Sequence, residues 1–345
     1  MKAFFYEDFF TYELRLLYNL PMVNVSITKN DGGQRLDRFM KKYLRKASLS
    51  LIYRMIRKDV KVNGKRAPIE TVLQEGDVLS IYVSEEQLAS LIGEKNRTAA
   101  AKKQFDIAYE DGNILVAGKP FGLLTHGDSK EKKRTLVNQV RGYLENSGTY
   151  SEENEKVFRI ASANRLDRNT TGLVVFGKTA AASKELSRGF SDKTAVEKYY
   201  LTILAGELQA ELSLSGKIVK DEEKNTSRVV EEEGDEGRNA ETLVRPLKTG
   251  GGFTLAEVRL MTGRTHQIRV HLAWAGYPLI GDAKYGDPEI NRKMKDELGL
   301  TTQLLHAYRL VFADMKEPLS YLNGQAVEAE PPARFREITR QLIGK

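Results

Sequence analysis

The run NRLDRNTTG, residues 164–172, sets one carboxylate, Asp167, between two guanidinium groups, Arg165 and Arg168. An acid in a loop rich in Asn, Thr and Gly usually bonds its own turn. A nearby guanidinium also favours a carboxylate's charged form, which suits a nucleophile or a base and is unsuited to an acid. Three more segments carry side chains able to join such chemistry. EKYYLTILAGEL (197–208) supplies Lys198, Tyr199 and Tyr200. TGRTHQIRVHLAWAGYPLIGDAKYGD (262–287) supplies His266, Arg269, His271 and Asp282. YEDGNILVAGKPFGLLTH (109–126) supplies Lys119. Singly, each has a plain structural reading. Tyr200 packs in a sheet, Arg269 sits on a surface strand, Lys119-Pro120 shapes a turn, and His306 is a hydrogen-bonded interior residue.

Other chemistries are closed off by composition and spacing. The chain has 345 residues and no cysteine, so disulfides, thiolate ligands and cysteine nucleophiles are excluded, as suits a reducing cytoplasm. Of its four histidines, His266 and His271 are five apart, the wrong spacing for a helical zinc pair. KTGGGFT lacks the spacing of a phosphate-binding loop and reads as a hairpin turn before a strand. No G-x-S-x-G elbow is present. No cofactor or metal is expected, and no apolar run approaches the ~18 residues that span a bilayer.

The elements that must position these residues are of both types. FDIAYEDGNILVAGKP reads as strand, tight turn and strand, and TLVNQVRGYLEN as an amphipathic helix. LVVFGKT reads as a strand, AAASKELSRGF as a helix, EKYYLTILAGEL as a β-rich run, and FTLAEVRLMTGRTHQIRVHLAWAG as a strand, a turn and an apolar element. Short hairpin connections between strands predict an α+β fold on a mainly antiparallel sheet. The acidic stretch 221–239 reads as a hairpin.

Charge is distributed unevenly. The net formal charge is +7, yet Lys29 to Arg66 alone holds 13 Lys and Arg against three acids. Within it, Leu36, Phe39, Met40 and Tyr43 recur at helical spacing, as do Ile52, Met55 and Ile56, with Ser48 or Ser50 placed to cap the second helix. VKVNGKRA predicts a strand entering an Asn-Gly turn. RLDRF, SLIYRMIRKDVKVNGK and the later GD resemble the S4 RNA-binding module over about 50 residues. The resemblance implies that a basic helical face meets RNA phosphates through Arg35, Arg38, Lys42, Arg54, Arg57 and Lys58.

From residue 105 to about 315, the segments NRLDRNTTG, EKYYLTILAGEL and TGRTHQIRVHLAWAGYPLIGDAKYGD, with YEDGNILVAGKPFGLLTH before and LLHAYRLVF after, resemble the catalytic domain of the RluA-type pseudouridine synthases. By that resemblance Asp167 is the catalytic aspartate, and Arg269 the arginine paired with it. Tyr200 is the active-site tyrosine, and Arg165 the arginine that takes the flipped uridine's place in the RNA. The sequence departs from the family pattern at Asn164, usually His, and at Thr171, usually Ser. The resemblance implies a cytoplasmic, monomeric isomerase acting on RNA, most readily 23S ribosomal RNA. Alternatives are a transfer-RNA synthase, a non-catalytic S4-type ribosome-associated factor, or a base-releasing glycosylase using Asp282 as its second carboxyl.

The sequence thus divides into an extension (1–21), an S4-like RNA-binding domain (22–84), a linker (85–103) in which LASLI can form a helical turn, and a catalytic domain (104–345).

Overall fold

The computed structural model describes residues 21–93, 102–223, 226–230 and 237–344. These residues form two compact units, one of 21–93 with 147–159 and the other of 102–146 with 160–344.

The first unit holds β1 (Val23–Ser26), α1 (Leu36–Tyr43), α2 (Leu49–Lys58), β2 (Val60–Val62), β3 (Val78–Ile81) and α3 (Glu85–Ile92). Its antiparallel sheet runs β1-β3-β2. The periodicity that predicts the helices also supplies the core. Leu36, Phe39 and Met40 of α1 and Ile52, Met55 and Ile56 of α2 are all buried. Ser48 caps α2, its side chain accepting the Leu51 N–H at 3.3 Å. Asn63 and Gly64 both take left-handed backbone, φ 49° and 77°, which a two-residue hairpin turn requires.

Two sequence expectations are corrected here. Residues 85–103 are not all linker: α3 starts at a capping box between Ser84 and Gln87 and buries Leu88 in this unit's core. The S-x-x-Q spacing was the available signal. Residues 94–101 of that stretch lie outside the described residues, as do 1–20 of the N-terminal extension. Residues 147–159, read as part of the catalytic domain, pack with this first unit. Fully buried Asp31 accepts the backbone N–H groups of Lys156 (2.9 Å), Val157 (2.9 Å) and Phe158 (3.1 Å). Glu155 accepts Asn30 Nδ2 at 2.7 Å. One acid thus satisfies three amides of a segment more than a hundred positions away, a pairing no local pattern announces.

The second unit is built on β4 (Asp106–Glu110), β5 (Ile114–Lys119), β6 (Thr171–Gly177), β7 (Val196–Ala205), β8 (Leu212–Asp221), β9 (Thr226–Val230), β10 (Arg238–Gly250), β11 (Phe253–Leu260), β12 (Leu305–Phe312) and β13 (Ala326–Glu328). Among the described residues they form one sheet in the order β4-β5-β6-β12-β7-β11-β10-β8-β9, with β13 on β12. Only β6 and β12 pair in parallel, so the sheet is mainly antiparallel and the fold α+β. The unit's helices are α4 (Leu136–Asn146), α5 (Ala180–Ser191), α6 (Gln267–Trp274), α7 (Pro288–Leu298) and α8 (Ala333–Ile343). β8 and β9 pair as a hairpin that takes in only the first part of the acidic stretch, whose residues 224–225 and 231–236 lie outside the described residues.

All seven residues of β6 are buried. Its Leu173 and Val175 pack with Ile114 and Val116 of β5, Leu186 of α5 and Phe312 of β12. A second core joins Ile203 and Phe253 to Met294, Phe335 and Ile338. Truncating fully buried Phe312 to Ala would cost about 3–5 kcal/mol. Where β6 meets β12, Gly172 has φ 109°, and a Cβ there would lie 2.1 Å from the Ala307 carbonyl oxygen. Only glycine allows this close approach, and it sets the loop just before β6.

Candidate active site

That loop, residues 163–170, is held at successive points. The Asn164 amide bonds to β6 in both senses, donating to the Leu173 carbonyl at 3.1 Å and accepting the Val175 N–H at 2.9 Å. Asn at this position therefore acts as a short piece of strand. Leu166 N–H donates to Thr125 Oγ1 (3.2 Å), and the Thr170 N–H closes the turn onto the Asp167 carbonyl (3.1 Å). Thr171, the other departure from the family pattern, lies 2.7 Å by its hydroxyl from Nδ1 of buried His306, whose Nε2 meets the Ala329 carbonyl at 2.9 Å.

Lys119, read as half of a turn-forming pair, is instead the last residue of β5 and only 1% exposed. Its ammonium donates to the carbonyls of Leu123 (2.7 Å), Arg168 (2.9 Å) and Pro120 (3.2 Å), tying the loop after β5 to the Asp167 loop. Burial pushes it down to about 7, with the charge of Asp167 pulling the other way. A single Lys-Pro pair gives no sign of such burial.

The loop presents Asp167 to the start of α6. Arg269 Nη1 donates to Asp167 Oδ2 at 3.2 Å. The rest of the guanidinium is taken by Asp282: Nε donates to Oδ2 at 2.6 Å and Nη2 to Oδ1 at 2.7 Å. Asp282 has no exposed surface and also accepts the Lys284 and Tyr285 N–H groups at 2.9 and 3.2 Å. Burial would raise its carboxyl, but the bonds from Arg269 and the backbone outweigh that and hold it below the usual range. An ionised, enclosed carboxylate has no proton to give, so Asp282 cannot be the second acid of a glycosylase. It fixes Arg269, and Arg269 in turn holds one oxygen of Asp167.

These groups border a cavity of ≈ 560 Å³ whose wall includes Arg165, Asp167, Arg168, Arg264, Lys220 and Lys284. Its cationic lining suits a polyanion. Arg165 is exposed at this wall, while Arg168 pairs with Asp128 at 3.0 Å. A smaller pocket of ≈ 110 Å³ opens beside it, walled by Tyr200, Leu260, Ile268 and Leu305 together with Asp167 and Arg269. Lys198 and Tyr200 are buried on one face of β7, whereas Tyr199 lies on the other, bonded to Glu197 at 2.6 Å and flanked by Arg259 and Arg309. Burial foremost, then the charge of Asp167, raise the Tyr200 phenol far above its ordinary value, so it stays a neutral O–H rather than a base.

Asp167, Tyr200, Arg269 and Arg165 are thus brought together in the second unit. The six basic residues singled out in the first unit lie on α1, α2 and the residue before α1. Arg38, Lys42, Arg54, Arg57 and Lys58 are exposed, opposite the buried faces of their helices. Arg35 is half-buried and donates twice to Asp37, at 3.1 and 2.9 Å, which offsets much of its charge.

A family model described as RNA pseudouridylate synthase matches residues 113–274, the stretch that carries Lys119, Asp167, Tyr200 and Arg269. The chain is 32% identical to ribosomal large subunit pseudouridine synthase C of Haemophilus influenzae, over 87% of this chain and 90% of that protein. It is 33% identical to the protein of the same name in Escherichia coli, over 84% of this chain and 88% of that protein. Among solved structures, human RNA pseudouridylate synthase domain containing 4 matches with a TM-score of 0.53 at 22% identity, covering 68% of this chain and 92% of that one, a likeness of fold. By the length and level of these matches, the chain belongs to the RNA pseudouridylate synthase family, in its RluA-type branch.

Proposed function

We propose that this protein converts uridines of large-subunit ribosomal RNA to pseudouridine, with Asp167 as the reacting carboxylate. One observation carries the reading: an aspartate with one oxygen bound by a buried arginine, at the mouth of a ≈ 110 Å³ pocket walled by a neutral tyrosine and aliphatic side chains. The relatives' names supply the RNA class.

The isomerisation breaks the bond from ribose C1′ to uracil N1, turns the base, and joins C1′ to C5. N1 gains a proton and C5 loses one, so the atoms balance with no redox partner. Asp167 either attacks C1′ or takes a ribose proton, and both routes need an ionised carboxylate with one free oxygen. Arg269, fixed by Asp282, keeps Oδ2 occupied and leaves Oδ1 for the nucleotide. Tyr200 stacks on the detached uracil and keeps it beside C1′ while it turns. Flipping the uridine out of its helix costs a few kcal/mol of unstacking. Arg165, entering the vacated place, offsets part of that through cation–π and hydrogen-bond contacts.

The first unit acts as an S4-like RNA-binding domain through Arg38, Lys42, Arg54, Arg57 and Lys58, with Arg35 contributing less. The enzyme works as a cytoplasmic monomer. Nucleoside analysis of large-subunit ribosomal RNA and transfer RNA after incubation tests this. Pseudouridine gained in the ribosomal RNA, with no free uracil, is expected. Free uracil, or modification of transfer RNA alone, would overturn it.

A further inference from the structure

Ser227, Tyr285 and His266 form a chain leading to Asp167, and the reaction scheme above leaves these three without a role. It begins on edge strand β9, where the Ser227 backbone N–H donates to Tyr285 Oη at 2.7 Å and Ser227 Oγ donates to the Thr265 carbonyl at 3.0 Å. Tyr285 Oη lies 2.8 Å from His266 Nδ1. His266 Nε2 then faces Asp167 Oδ2 at 3.8 Å.

Both ends of this chain select the same histidine tautomer. A phenol oxygen that accepts the Ser227 N–H still has its own O–H to donate, and Nδ1 at 2.8 Å is placed to accept it. At the other end, an Nε2 lone pair turned toward a carboxylate would be repelled, whereas an N–H is attracted. The ring is therefore protonated on Nε2. It is also placed with effort: His266 precedes α6 in left-handed backbone, φ 56°, and its side chain is only 8% exposed. Tyr285 serves the second donor as well, its ring centroid lying 5.1 Å from the Arg269 guanidinium.

We propose that His266 is a positioning residue for the reacting carboxylate: it presents Nε2–H to Asp167 Oδ2 beside Arg269, with Tyr285 setting the tautomer, so that Oδ1 is the oxygen turned toward the nucleotide. At 3.8 Å the contact is longer than a hydrogen bond, and such contacts tighten when substrate closes a site. Asp167, Asp282, Arg269, Lys284 and Tyr285 all face the imidazole, and Lys220 and Arg264 line the same cavity. Burial foremost, with Arg269 and Lys284, holds the ring neutral below its ordinary value of 6.5, against the pull of Asp167 and Asp282. Protonation places a second hydrogen on Nδ1, against the Tyr285 proton, and breaks the arrangement.

The inference rests on the isomerase reading, and its test separates the two. Tritium release from [5-³H]uridine-labelled large-subunit ribosomal RNA is followed against pH for wild type, His266→Leu, His266→Gln and Tyr285→Phe. Gln carries an N–H where Nε2 lies but does not titrate. His266→Leu should lower kcat about tenfold, the worth of one hydrogen bond to a charged group, with KM little changed. His266→Gln should recover most of kcat and lose the acid limb expected of wild type below pH 6.5. Tyr285→Phe should lower kcat at neutral pH while leaving KM unchanged. His266→Leu matching wild type, or His266→Gln failing as badly as His266→Leu, overturns the inference. A wild type that releases no tritium overturns the isomerase reading instead.

Discussion

Replacing Asp282 by Asn removes the charge that compensates Arg269 while nearly keeping the shape. Both groups are buried, the arginine 7% and the aspartate 0% exposed by side chain, and they share two hydrogen bonds of 2.6 and 2.7 Å. Breaking such a pair from one side costs up to about 3–5 kcal/mol, with Asp167, at 3.2 Å, left as the partner of Arg269. In a unit of this size, each kcal/mol moves the melting temperature by about 2–4 °C, so a fall on the order of 10 °C is expected by calorimetry. The freed guanidinium should also turn toward Asp167 and occupy both carboxylate oxygens, so activity should fall more than folding alone explains. Removing both charges, in Arg269→Met with Asp282→Asn, should restore much of the lost stability, since an apolar replacement costs less than an orphaned ion. The linkage has a sign. Asp282 is held below its ordinary 3.8, so its contribution is present above that pH and is lost as pH falls through the lowered value. Asp282→Asn should remove that acid-side loss. A single variant melting within a degree or two of wild type, with an additive double variant, would refute Asp282 as the anchor of Arg269.

Further outcomes follow from the same geometry. Lys119 titrates near 7 when folded but near 10.5 when unfolded, so the stability of wild type relative to Lys119→Met should rise between those values, by at most about 1.4 kcal/mol per pH unit. A difference flat with pH in urea titrations would contradict the cost of burying its charge. Tyr200→Phe keeps the stacking face and should retain most activity, whereas Tyr200→Leu should lose it; equal loss would point to the phenol proton. RNA affinity should fall on the order of a thousandfold from 50 to 200 mM salt if about six phosphates are engaged. Arg54→Ala with Arg57→Ala should weaken binding and reduce that slope, with little change in single-turnover rate. An unchanged slope would remove α2 from the interface.

How much of this was legible in the sequence depends on whether the signal was local. α1 and α2 announce themselves through apolar spacing and the Ser48 cap, and the Asn63-Gly64 turn through its dipeptide. Asp167, Tyr200 and Arg269 were found by a resemblance of three long segments, and the sheet brings those segments together. Lys119, read as half of a turn, and Asp282, read only as a second carboxyl, have partners from elsewhere in the chain: the Arg168 carbonyl for one, Arg269 for the other. The chain from Ser227 through Tyr285 to His266 joins an edge strand, a loop and a helix start, and no spacing along the chain could reveal it. The HQIRVH run is short and has only two aliphatic residues, Ile268 and Val270, so its period alone did not choose between strand and helix. The seat of residues 147–159 on the first unit depends on Asp31, an acid in a basic run whose three amide partners lie far along the chain.

The central claim is that Asp167 performs chemistry at a uridine. Its side chain is 35% exposed, and the loop's fixed points are at Asn164, Leu166, Arg168 and Thr170, so Asp167→Ala should fold normally. Tritium release from [5-³H]uridine in large-subunit ribosomal RNA, wild type beside Asp167→Ala, is the most direct measurement. Stoichiometric release by wild type and none by a folded, RNA-binding variant is the predicted result. Release that persists in Asp167→Ala would contradict the claim.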